Sequence, residues 1–175
     1  LITDDAFRNY NFEGPLFSGP WSADAMMRND RMLETFRLHI ELGKMNVDLF
    51  SQVSSSLFAQ VTRFDSMEEL KASGESFDGV LAPALEHFNA GQGADQPVLF
   101  ADVTYELLFF DQHEQQILDW KVVSEQLFCQ AENFCHFDHK DIMLAAEREI
   151  AAKVLSQFPG FPEITEWVNS VEANR

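Results

Sequence analysis

The sequence has little of several things, and each shortage removes a class of function. Only 12 of its 175 residues are Lys or Arg, against 29 Asp and Glu, for a formal charge of −17. A basic stripe able to neutralise phosphates is therefore missing, and a duplex or an anionic membrane surface would repel the chain. No run approaches the ~20 apolar residues of a membrane-spanning helix. There is no Gly-rich phosphate loop and no G-x-S-x-G elbow: Gly91-Gln92-Gly93 lacks the third glycine and opens no recognisable helix. Cysteine occurs twice, at Cys129 and Cys135. Nothing in these patterns calls for a cofactor.

What is present is core material. The chain is 46% hydrophobic and carries 17 Phe beside only two Tyr and three Trp, which reads as a Phe-rich interior rather than disorder. A chain of this length fits one domain and buries about 70% of its unfolded surface. The acids are scattered rather than blocked, so solubility accounts for them. The sequence opens on Leu1 rather than Met; removal of a preceding segment is expected, and a signal peptide or lipid anchor is compatible with this.

Residues 1–33 lack a clean period. Gly14-Pro15 and Gly19-Pro20 interrupt Phe7, Tyr10, Phe12, Phe17 and Trp21, so an extended aromatic arm is expected, packed on its own domain or on a partner. A single domain follows over 34–175. Phe36 to Leu42 alternates apolar and polar residues as a half-buried strand does. Asn46 is expected to cap a helix whose apolar face is Leu49, Phe50, Val53, Leu57, Phe58 and Val61. Ser66-Met67-Glu68-Glu69 is a capping box with Gly74 as its stop. Phe77 to Phe88 reads as a strand in which Pro83 demands an edge or a bulge. Ala90 to Ala94 reads as a flexible loop. Val98 to Phe110 and Ile117 to Leu127 read as a hairpin. A long helix over about 139–157, stopped by Pro159-Gly160, and a short helix from Pro162 close the chain. The expected fold is α+β: a three- or four-stranded mixed sheet with two long helices on one face.

The residues that could carry chemistry are few. Acidic pairs such as Asp4-Asp5, Glu68-Glu69 and Glu147-x-Glu149 fall where exposed faces are expected, and neighbours on one helix do not converge across a cleft. Cys129, Cys135, His136 and His139 are four potential zinc ligands, but their spacing matches no zinc finger and adjacent Cys135 and His136 rarely reach one ion. Two readings remain for the cysteines: a disulfide clipping the loop in an oxidising compartment, which the proximity of the only two cysteines favours, or two buried thiols in the cytosol. His39, His87 and His113 read as ordinary surface. Along the hairpin Val103, Tyr105, Leu107 and Phe109 share one side, leaving Leu108 and Phe110 on the other, where the arm or another subunit is needed to cover them. Trp21, Phe17, Leu108 and Phe110 are therefore the candidate partner contacts.

The hairpin Val103-Thr104-Tyr105-Glu106-Leu107-Leu108 to Ile117-Leu118-Asp119-Trp120-Lys121-Val122 resembles a pattern in small bacterial envelope proteins, as does the helix with Ala145-Ala146, Phe158-Pro159 and Trp167 beyond. These are the auxiliary lipoproteins of transport and export systems, with a fold like the TolB N-terminal domain. The likeness spans about residues 34–168. It implies a periplasmic, outer-membrane-anchored or free, non-enzymatic module that binds or assembles with envelope proteins, and it brings no catalytic residue. The alternatives are a small-molecule-binding domain or enzyme with a pocket between sheet and helices, and a cytoplasmic location.

Overall fold

Period-two alternation dominates the middle of the chain, and the fold is built around it. The structure, a computed structural model, describes residues 1–15, 17–18, 37–93, 98–129 and 139–173. In chain order the elements are α1 (Asp5–Arg8), β1 (Asn11–Pro15), β2 (Phe17–Ser18), β3 (Arg37–Glu41), α2 (Leu42–Leu57), α3 (Met67–Ser73), β4 (Gly79–Gly93), β5 (Val98–Asp111), β6 (Gln116–Cys129), α4 (His139–Gln157), a 3-10 turn (Phe158–Gly160) and α5 (Pro162–Ala173). The main sheet has the order β2-β4-β5-β6, with β1 and β3 forming a separate antiparallel pair. It is a mixed sheet, because β2 runs parallel to β4 while β4, β5 and β6 are antiparallel. The fold is α+β, as the sequence implies.

One face of the sheet holds the core. Val103, Tyr105, Leu107 and Phe109 on β5 are buried, with Leu81 and Phe88 on β4 and Leu118 and Val122 on β6. α2 and α4 pack on this face through Leu42, Leu49, Phe50 and Val53, and through Ile142, Ala146, Ile150 and Val154. At one end Phe58, Phe109, Phe158 and Trp167 form an aromatic cluster, with Phe109 and Trp167 edge to face at 4.8 Å. The Trp167 indole N–H also donates to the Asp78 carbonyl at 3.1 Å.

Turn chemistry accounts for the joints. The β5–β6 link has no glycine, yet it turns tightly: Asp111 Oδ1 accepts from the backbone N–H groups of His113 and Gln115, each at 2.8 Å. Glu114 takes the left-handed conformation, with φ of 63°. Ser66 Oγ accepts from Glu69 N–H, and Gly74 stops α3 at φ of 69°. Pro83 meets both of its conditions. The Leu81 carbonyl accepts from Ile2 N–H at 2.9 Å, away from β5, so Pro83 two residues on turns its missing donor to that same outer edge. A bulge follows between Leu85 and His87.

Three expectations change. The segment before residue 16 is not simply extended: Asp4 caps α1, Phe7 is buried, and β1 pairs with β3. Residues 1–3 lie between the β4 edge and Phe64, in a parallel bridge of Ile2 with Phe64. Asn46 does not cap the first long helix, which starts at Leu42, carries Asn46 fully buried in its second turn, and ends at Leu57, so that Phe58 and Val61 lie beyond it rather than on its apolar face. Ala90 to Gly93 continue β4, held by β5 on one side and β2 on the other.

Gly43 is required where α2 meets the N-terminal segment. Its N–H donates to the Tyr10 carbonyl at 3.0 Å, and a Cβ there would lie 1.7 Å from the Arg8 carbonyl oxygen. Helical Gly→Ala ordinarily stabilises by about 1 kcal/mol. Gly43→Ala is expected to do the reverse, costing about 2–3 kcal/mol through forced separation of α1 from α2. Urea unfolding checks this; an unchanged or higher midpoint would show that the Arg8 backbone is not seated on this glycine.

Candidate functional site

Among the described residues, two places set ionisable side chains beside a cleft or an unpaired sheet edge. The first is a cleft of about 410 Å³ between α2 and α4, lined by Met45, Asp48, Leu49 and Gln52 on one helix and by Leu144, Glu147, Arg148 and Ala151 on the other. α4 turns Ala146 and Ile150 to the core, so Glu147 comes to the rim of the buried stripe. Burial first, and then the carboxylate of Asp48, push the Glu147 carboxyl up to about 7. Beneath the cleft Tyr105 is buried, and its hydroxyl donates to Asn46 Oδ1 at 2.6 Å. Asn46 Nδ2 donates in turn to the Phe7 carbonyl at 3.4 Å. Burial and then Glu147 raise the Tyr105 pKa, so this hydroxyl stays protonated and serves as a fixed donor. A carboxyl that changes charge near neutrality beside apolar walls can hold a cation or move a proton. Among the described residues, no three His, Cys, Asp or Glu side chains come together as a metal site.

The second place is the outer sheet face and the β6 edge. Asp119, Lys121, Val123 and Glu125 alternate outward along β6 and are all exposed, beside half-buried Asp102 and Glu106 on β5. Lys121 pairs with Glu86 across the sheet. Burial, then Glu125, raise the Asp102 pKa, while His87 opposes them. Among the described residues β6 has a sheet partner on one side only. α4 is latched along it: Ser124 Oγ donates to Glu149 Oε2 at 2.6 Å, Gln126 bonds the same carboxylate, and Lys153 Nζ donates to the Val123 carbonyl at 2.6 Å. Lys153 first, then Ser124, hold the Glu149 carboxyl below its ordinary range.

The residues singled out in the sequence are scattered. Cys135, His136 and Trp21 lie outside the described residues; Cys129 ends β6 and His139 opens α4. Phe17 lies on β2 opposite Gln92. Phe110 packs with Ile2, Leu70 and Val80, so α3 and the first residues of the chain cover that end of the outer face, while Leu108 is half-buried beside it. His39 is exposed and lies 3.4 Å from Glu13. Glu147 and Glu149 are corrected: both are half-buried, one in the cleft and one in the latch, rather than solvated neighbours. Their signal was available, since each lies next to a core position of the α4 stripe, at Ala146 and Ile150.

Comparison with protein families, with curated proteins and with solved structures finds no match to this chain.

Glu147 makes stability depend on pH in a definite direction. Its folded pKa stands above the ordinary 4.5, so the folded state binds the proton more tightly than the unfolded chain does. The cost of ionising it is absent below about pH 4.5, grows towards pH 7, and is complete above that. Glu147→Gln is expected to stabilise the protein at pH 8 by about 1 kcal/mol after solvent screening at this half-exposed rim, and to change little at pH 4. Thermal melts of both proteins across this range check it; an equal gain at both ends would assign the effect to packing instead.

Proposed function

We propose that this chain is a non-enzymatic binding or assembly module of a bacterial envelope transport, export or secretion system, working in the periplasm through protein partners. The observation that carries the binding role is the β6 edge. It belongs to a strand of 14 residues with a bulge near Ile117, unpaired on one side among the described residues, with four successive outward side chains exposed. Long exposed edges template pairing with another chain, and adding a strand to such an edge is a recurrent mode of protein recognition. The envelope assignment rests on the resemblance of the hairpin and of the helix that follows it. An intrachain Cys129–Cys135 disulfide belongs to the same proposal.

Site-specific photo-crosslinking of the full protein in its host tests the role. A crosslinker at Val123 is expected to give defined protein adducts in the envelope fraction, whereas one at Ser56, on the opposite side of α2, gives none. Thiol counting on the unreduced, unfolded protein is expected to find no free cysteine. Absence of adducts from Val123 would sink the binding role, and two free thiols in a cytosolic fraction would sink the compartment.

The cleft between α2 and α4 favours a second reading, a small-molecule site for a cationic ligand held by Asp48 and Glu147. This cleft lies between the two helices, not between sheet and helices. Saturable binding of an amine lost in Glu147→Gln would support it.

A further inference from the structure

We infer that the partner of the β6 edge is a second copy of this chain, joined antiparallel about Val123 so that two sheets become one; this rests on the binding role proposed for that edge. Lys153 Nζ reaches the Val123 carbonyl from outside the sheet, which establishes that the backbone groups of Val123 face the free edge. Alternation then turns those of Asp119, Lys121 and Glu125 the same way, and puts all four side chains on the outer face. An antiparallel pair of identical strands is isologous, so each residue meets its mirror about the centre.

With Val123 at the centre, Lys121 of each copy lies opposite Glu125 of the other, twice. Val123, 40% exposed and one of the few large apolar side chains left in solvent among the described residues, meets its twin between them. This register overlaps β6 over residues 117–129, nearly its whole length. Moving the centre by one residue to 122 sets Asp119 against Glu125, and moving it to 121 sets Lys121 against itself. Opposite charge, apolar contact and strand overlap thus select one arrangement.

One contact stands in the way. Lys153 occupies the Val123 carbonyl that the twin strand must use. Its ammonium also pairs with Glu149 at 2.6 Å, so it keeps a counter-charge on leaving. A lysine over the middle of an edge is a common way of blunting it, and here it sets the strength of the junction.

Sedimentation velocity of the whole chain at rising concentration tests this at about 0.15 M salt, where the Debye length is about 8 Å and the −17 charge of each copy is largely screened. The expected result is a monomer–dimer equilibrium that Lys121→Glu and Glu125→Lys each weaken about tenfold, that the double exchange restores, and that Lys153→Met tightens. All of these positions are exposed or half-exposed, and circular dichroism verifies that each variant is folded. A protein monomeric at about 1 mM, or a dimer indifferent to both charge reversals, would overturn the inference. In that case adducts of a different protein from Val123 in the host would leave the binding role standing, while absence of any adduct would remove both.

Discussion

The hydroxyl of Tyr105 fixes much of this structure. Tyr105 stands in the middle of β5, 3% exposed, with its ring against Phe7 and Phe50. A buried phenol needs a partner, and here it is the side chain of Asn46 on α2, which also holds the backbone of α1. One chain of two hydrogen bonds therefore ties the centre of the sheet to the first long helix and to the N-terminal segment. An amide has to lie at that point of the helix, so the rotation of α2 is set. Leu42, Leu49, Phe50 and Val53 then face the sheet, and Asp48 is left facing α4. The same constraint bears on Glu147: burial first raises its pKa, and Asp48, set facing α4 by the rotation of α2, raises it further.

The two sides of the sheet are put to different uses. The inner side is apolar and covered by both long helices. Among the described residues the outer side is covered at the Phe110 end, where α3 and Ile2 lie, and its charges on β5 and β6 are Asp102, Glu106, Asp119 and Glu125 around the single cation Lys121. The two long edges also differ. Residues 1–3 and β2 close parts of the β4 edge with backbone hydrogen bonds, while on β6 Lys153 covers the carbonyl of Val123. A contact of that kind is exchangeable, because one flexible side chain can leave without breaking a strand.

Much of the fold was legible in the sequence because local rules sufficed. Ser66 and Gly74 delimit α3, Pro159-Gly160 ends α4, and alternation from Val103 to Leu107 followed by an apolar run to Phe110 declares β5. Where tertiary partners override local preference, the sequence misleads. Asn46 looks like a cap because asparagine caps helices, yet it is spaced four from Leu42 and from Phe50 and belongs to the buried stripe. Ala90 to Gly93 look like a loop because glycine has no strand preference; strands on both sides hold them. The first fifteen residues carry no period because their partners, Phe64, Leu81 and the β3 strand, lie far along the chain. The cleft was illegible for a similar reason: Asp48 and Glu147 are about a hundred positions apart, and only the packing of two helices makes them neighbours.

That separation also sets an order of events. The β5–β6 hairpin closes through a short turn and can form as soon as it exists, whereas Phe7 has to find Tyr105 and Ile2 has to find Leu81 across long intervening loops. During synthesis the segment around Phe7 emerges before residue 105 and stays without its native neighbours until that residue has followed. Its aromatic side chains are thus made before their partners and housed late. Any factor that holds the growing chain open, a chaperone or a translocation machine alike, has in that segment a natural handle for as long as the fold is incomplete.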